Sequence, residues 1–389
     1  MEGTAGAQDD HGRRATTVPR LASAKAPTGT GPAEVPAVAK AWKVAVSACH
    51  FGAKGRRKTM EDAHLALNET AVRDMFPDLP KAMRLAFFGI FDGHGGRNVA
   101  DLVKARLPHH IVDHLCKCQL PTPKSDAVLG AMRAAYHDMD VESQAQAREK
   151  KWTDGCCAVV VMILNDMVYV ANMGDSKAVL CRRHRADKPG KGTPVTDQDV
   201  GGDRSTGADK KHRFPWSRGQ GDPPPRADAL ALTQDHKPIL ASERERIEKA
   251  GGRVEGGRVN GALEVARSFG DLAFKRYGVA AEPDLRVKFK LGETEEMLLM
   301  GCDGLWTRYS EANACAFVRT RLWAGTTWCS GQEHVWTPER TVRGLVEDAI
   351  HAKGTTDNCS AMLLLFRHPS QLTQPPVLSA SGSALSSKK

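Results

Sequence analysis

The chain has 389 residues, of which 41% are hydrophobic and only 6% aromatic, with 36 glycines, 21 prolines and a formal net charge of +9. That supplies one large core or two modest ones and leaves part of the chain unpacked. The charge invites an anionic partner, but the basic residues are spread out and many fall in a polar central stretch, which argues against a nucleic-acid groove. The ten cysteines, among them Cys116, Cys118 and the vicinal Cys156-Cys157, lack paired metal-type spacing and read as reduced thiols.

In chain order, residues 1–40 are rich in Ala, Thr, Pro and Gly, and hold Asp9 and Asp10 but no apolar run. The expectation is a disordered arm that is neither signal nor transit peptide. No apolar run approaches the ~20 residues of a membrane span. A cytoplasmic and/or nuclear protein without a membrane partner is therefore expected. The packed domain is expected over 41–368. Within it, Glu61-Asp62 opens the strand EDAHLAL, and residues 85–91 form an apolar strand ahead of Asp92-Gly93-His94. Val99, Leu102, Val103 and Leu107 have helical spacing until Pro108 interrupts them. Val128, Leu129, Met132 and Tyr136 mark a second helix behind Ser125-Asp126.

Residues 157–164 and 167–172 read as adjacent strands, with 176–181 as a third after the turn Met173-Gly174-Asp175. Residues 184–229, with three consecutive prolines from Pro223, lack apolar periodicity and read as a low-complexity surface insertion. Ser242 with Glu245 predicts a capping box on a helix that stops at Gly251-Gly252. Residues 296–302 and 359–366 are late strands, separated by a shorter irregular insertion near 323–338. Asn68-Glu69-Thr70 and Asn358-Cys359-Ser360 match the glycosylation sequon, which carries no weight without a secretory route. Residues 369–389 form a disordered tail. Hairpin-like neighbours and paired helices predict an α+β fold of antiparallel sheets with helices packed outside.

Four places put an acid at the mouth of an apolar strand: Glu61-Asp62, Asp92, Asp303 and Asp357. If these carboxylates meet, they repel one another, so they either take up protons or recruit cations. Carboxylate oxygens, a backbone carbonyl and water form the ligand set of Mg2+ or Mn2+, not zinc. Gly93 fits that set because a residue without a side chain lets its carbonyl approach an ion. Two cations ~4 Å apart lower the pKa of a shared water and aim it at phosphorus.

The strings RRKTMEDAH, FFGIFDGHGG, DGCCAVVV, VANMGDSKAVL, LTQDHKP, ERIEKAGGRV, LEVARSFGD, EPDLRV, MLLMGCDGLW and GTTDNCSAMLLL occur in that order. The ordered set resembles the metal-dependent Ser/Thr protein phosphatases of type 2C over about residues 45–366. The run ERIEKAGGRV through LEVARSFGDLAFKRYGV looks especially like the branch that includes integrin-linked-kinase-associated phosphatase. The resemblance implies a four-layer α/β/β/α sandwich, monomeric and acting on phosphorylated proteins. It implies hydrolysis of phosphoserine and phosphothreonine by a hydroxide activated at a binuclear Mg2+ or Mn2+ centre. By position, Asp92 would bridge the two ions and Gly93 would add its carbonyl. Glu61 would bind one ion, and Asp303 and Asp357 the other. Asp62 would orient water, Arg57 would bind phosphate and His94 would act as general acid. Asp175 would join Asp303 at a weaker third ion, with a hairpin-turn role as its competitor. Asp271 and Arg267 are expected to be structural. Cys156-Cys157, Lys177 and Thr307 depart from the family's pattern, Thr307 at the expense of the third site. The alternative is a catalytically silent phosphoprotein-binding scaffold, but such a protein should lose metal acids that are all present here.

Overall fold

Apolar runs without polar alternation need cover on both faces of a strand, and the strands of this protein receive it. The computed structural model describes residues 44–118, 121–183, 227–324, 326–329 and 332–367. The first half contains β1 (Ala45–Ala53), β2 (Ala63–Leu67), α1 (Glu69–Met75), β3 (Leu85–His94), α2 (Asn98–Cys116) and α3 (Ser125–Lys150). Next come β4 (Gly155–Leu164), β5 (Met167–Met173), β6 (Lys177–Arg183), β7 (Ala227–Ala231) and α4 (Ala241–Lys249). Three two-residue strands follow, β8 (Val254–Glu255), β9 (Arg258–Val259) and β10 (Phe269–Gly270), with α5 (Leu272–Lys275) after them. The last part holds β11 (Asp284–Lys290), β12 (Glu295–Gly301), α6 (Asp303–Trp306), α7 (Glu311–Ala324), β13 (Thr326–Cys329), β14 (Gln332–Val335), α8 (Pro338–His351) and β15 (Cys359–Arg367).

Two antiparallel sheets carry the fold. One runs β1-β15-β12-β6-β7, and the other runs β11-β5-β4-β3-β2 with β10 beside β4. Period-two geometry sorts their apolar residues. Leu85, Phe87 and Phe91 of β3 and Val160 and Met162 of β4 pack with Val103 and Leu107 of α2 and Met132 and Tyr136 of α3. The alternate residues Phe88, Ile90, Val159 and Val161 meet Leu298, Met300, Met362 and Leu364 of the other sheet. The outer face of that second sheet, Met297, Leu299 and Leu363, is covered by Val318 of α7 and Val342 and Leu345 of α8. The four layers are α/β/β/α, and the sheet-to-sheet seam fixes which strand ends can meet.

Several expectations change. α2 runs through Pro108, because Ile111, Val112 and Leu115 continue its buried stripe against α3 past the missing donor. β3 extends to His94, so Asp92 lies inside the strand, paired with Cys157. β6 is no hairpin partner of β5: after Met173 the chain crosses to the other sheet and pairs with β12 and β7. No capping box forms on α4, since Leu240 is the N-cap and Ser242 already lies within the first turn. Residues 326–329 and 332–335 pair antiparallel, β13 with β14, where irregular chain was expected. The 1–40 arm and the 369–389 tail lie outside the described residues. So does the central insertion, except that Ala227–Ala229 belong to β7 and pair with β6. Among the described residues no helix is long and apolar enough to cross a membrane.

Candidate metal centre

The register of β2 on β3, Ala63 opposite Phe91, brings Glu61 and Asp62 beside Asp92 and Gly93. A Cβ on Gly93 would stand 2.5 Å from the Glu61 carbonyl oxygen, so only glycine admits this approach. Asp62 is 1% exposed. Its Oδ2 accepts the Ser360 hydroxyl at 2.5 Å, while Oδ1 is buried without a partner. Ser360 has one hydroxyl proton, so the His64 Nε2 that lies 2.8 Å from its oxygen must donate. Burial, then the neighbouring His50, lowers the His64 pKa to about 4, which keeps that ring neutral. Oxygen atoms of Asp62 and Asp92 and the sulfur of Cys302 lie within 4.8 Å of one another.

Asp303 starts α6 directly after β12, and Asp357 stands two residues before β15. Burial, and then the charges of Asp62, Asp303, Asp175 and Asp357, pushes the Asp92 carboxyl well above its usual range. Burial also carries Asp303 up to about 7, with Asp175 and Asp357 adding to it. Burial carries Asp62 up to about 6, against hydrogen bonds that hold it down. Carboxylates from five separate segments thus share one field, and burial with mutual repulsion raises the proton affinity of Asp62, Asp92 and Asp303 within it.

Around them stand side chains that act on the acids. Arg57 Nη2 donates to Asp357 Oδ2 at 2.7 Å from a largely exposed position. The Asn358 Nδ2 donates to the carbonyls of Lys54 and Thr59 at 3.0 and 2.9 Å, and Oδ1 accepts the Glu61 N–H at 2.7 Å. One amide therefore closes the Arg57 loop and ties it to β15. His94 Nε2 lies 2.7 Å from Asp271 Oδ2, which also accepts the Ser268 hydroxyl at 2.5 Å. Burial lowers the His94 pKa, but the Asp271 hydrogen bond and charge, with Asp175 and Glu61, raise it overall. Asp271 is 3% exposed and sits at φ 47°, a left-handed conformation costly for a residue with a Cβ. It was expected to be structural, and the structure shows what its carboxylate holds, the His94 ring and the Ser268 hydroxyl.

Asp175 is buried at the sheet crossover, not in a hairpin, and contacts Lys237 Nζ. Cys157 Sγ lies 3.6 Å from its Oδ1. Burial, then Asp92 for Cys156 and Asp175 for Cys157, pushes both thiols far up, so they stay protonated. Lys177 pairs with Glu311 at 2.9 Å, and Thr307 is exposed at the end of α6. Arg267 Nε bonds both oxygens of Glu243 and its Nη1 bonds the Glu282 carbonyl, holding α4 to the chain before β11. Asn358, Ser360, His64 and Lys237 were given no role by the sequence, and Asp271 only a structural one. Asn358 and Ser360 had drawn notice only as a sequon, and LTQDHKP was the one signal for Lys237.

The family model for protein phosphatase 2C matches residues 47–197 and 225–359. A probable protein phosphatase 2C 8 of Arabidopsis thaliana is 34% identical over 317 residues, which covers 81% of this chain and 77% of that one. The integrin-linked kinase-associated serine/threonine phosphatase 2C of Rattus norvegicus is 28% identical over 326 residues, 81% of this chain and 71% of that one. The solved serine-threonine phosphatase 2C from Toxoplasma gondii superposes with a TM-score of 0.59 at 20% identity, over 86% of this chain and 98% of that one. This last likeness speaks for the fold alone.

Proposed function

Because this chain belongs to the protein phosphatase 2C family and is a serine/threonine protein phosphatase, we propose that it hydrolyses phosphoserine and phosphothreonine at a pair of divalent cations, Mg2+ or Mn2+. Glu61, Asp92, the Gly93 carbonyl, Asp303 and Asp357 would hold them. The observation that carries this reading is the meeting of mutually repelling carboxylates at one end of both sheets, with a buried Asp62 oxygen left unpartnered. The donor set is nearly all oxygen, as these cations prefer. The close approach that glycine permits at position 93 sets its backbone beside Glu61.

When bound, the cations supply a water acidic enough to attack phosphorus at neutral pH and balance charge on the phosphoryl oxygens. The chain's own residues do the rest. Arg57, already at the cluster through Asp357, exchanges that carboxylate for two phosphoryl oxygens, which its planar fork fits. Asp62, fixed through Oδ2 by Ser360, turns Oδ1 to a water and orients it. His94 protonates the departing Ser or Thr alkoxide. Asp271 takes up Nε2, which leaves Nδ1 to deliver that proton.

The test is steady-state turnover of a phosphothreonine peptide by the wild type, Asp92→Asn and Asp303→Asn with EDTA, Mg2+ or Mn2+. Wild-type turnover should require the metal, and both variants should lose it while keeping their circular dichroism. Unchanged turnover in both variants overturns the reading.

A further inference from the structure

The Asp175 end of the carboxylate cluster already holds a cation of the chain's own. Lys237 Nζ contacts Asp175 Oδ2, a carboxylate only 5% exposed. This is no chance encounter of a surface lysine, because the segment before Lys237 is tied to both sides of the Asp175 crossover. Asn172 Nδ2 donates to the Gln234 carbonyl at 2.9 Å, and the His236 N–H donates to the Gly174 carbonyl at 2.9 Å. Beyond the acid, the Ala178 N–H donates to Thr233 Oγ1 at 3.1 Å, and the Leu232 N–H donates to the Ala178 carbonyl at 2.8 Å. On the other flank the Ala266 N–H donates to the His236 carbonyl at 2.8 Å. These bonds hold the backbone ahead of Lys237 beside the Asp175 crossover, within reach of the acids. The ammonium acts on Asp303 as well, lowering its proton affinity against the neighbouring carboxylates.

Resting on the reading of this cluster as a divalent-metal site, we propose that Lys237 is a resident counter-ion that keeps the Asp175–Asp303 end closed to a third metal ion. An ammonium on a four-carbon stem supplies one positive charge at fixed reach and needs no ion from solution. A divalent cation arriving at Asp175 would meet that charge in contact, so the lysine must first withdraw. Its side chain is 34% exposed, which gives it somewhere to go. The chain therefore runs on two ions over the range in which its third position stays filled by nitrogen. Further metal enters there only at concentrations that displace Lys237.

The experiment counts bound Mn2+ by equilibrium dialysis and by the electron paramagnetic resonance of free Mn2+, using the full chain. Wild type, Lys237→Arg, Lys237→Met, Lys237→Gln and the double variant Lys237→Met with Asp175→Asn are compared. Wild type and Lys237→Arg should saturate at two ions where the Met and Gln variants take a third, bound at least about tenfold more tightly than in wild type. The double variant should return to two. Two uncharged substitutions guard against one that folds poorly, and thermal melts report which do. Equal stoichiometry and affinity in wild type and both uncharged variants overturns the inference and leaves the binuclear reading standing. A wild type that binds no Mn2+ removes both.

Discussion

A methyl group at position 155 would stand 2.2 Å from Asp271 Oδ2 and 2.4 Å from His94 Nε2. Glycine there, opposite His94 in the register of β3 on β4, is what lets the imidazole and the carboxylate meet. Asp271→Asn tests what the pair does, since Asn tolerates the left-handed backbone that Asp271 adopts. The variant should slow hydrolysis of a phosphothreonine peptide by about 10²-fold and an aryl phosphate far less, because the aryl leaving group needs no proton. Combined with His94→Ala it should add little. Equal losses on both substrates would return Asp271 to a purely structural role. The carboxylates of the centre were legible in the sequence because each interrupts an apolar run. The contact of Asp271 with His94 was not, because the two lie 177 residues apart in the chain and SFGD alone does not name its partner.

The β1–β2 connection shows how one element takes its shape from another. Arg57 is exposed, yet the loop that carries it is closed at Lys54 and Thr59 by the single buried side chain of Asn358. Asn358→Ala removes a donor pair and an acceptor from groups that water reaches poorly. It should cost ~1–3 kcal/mol in urea unfolding and raise KM for a phosphopeptide more than it lowers kcat. An unchanged KM would show that the loop holds its shape without the clamp. Strand identity was legible from apolar runs, but sheet membership was not. With both faces of both sheets covered, β5 and β6 carry the same pattern while lying in different sheets. That crossover is why Asp175 joins the cluster and does not cap a hairpin.

Over the whole molecule, acid should act through two buried imidazoles, His64 and His236, of which His236 stands clear of the carboxylate and Ser360 network that holds His64. The His236 ring is 4% exposed, and burial, then the Arg267 charge, lowers its pKa from the ordinary 6.5 to about 4. The neutral ring is the native form, so its contribution is complete above pH 6.5 and is lost as the pH falls toward 4. The difference corresponds to about 3 kcal/mol. His236→Asn, which keeps a polar atom near Gly174, should flatten the fall of urea-unfolding stability across that window. Parallel curves for the two proteins would exclude His236 as the cause. Antiparallel sheets with helices outside were legible from apolar period and turn signals, whereas the four-layer order was implied by the family resemblance. The polar scaffolding behind the acids was not, because it consists of contacts made across hundreds of residues.

The pairing of β1 with β15, Ala45 opposite Arg367, has a consequence for synthesis. Asp357, Asn358 and Ser360 belong to the last stretch of the fold to leave the ribosome, while the groups they complete are among the first. A nascent chain therefore carries an unpaired β1 and an incomplete acid cluster until β15 emerges. A premature stop before Asp357 would leave a protein with most of its mass and none of its turnover.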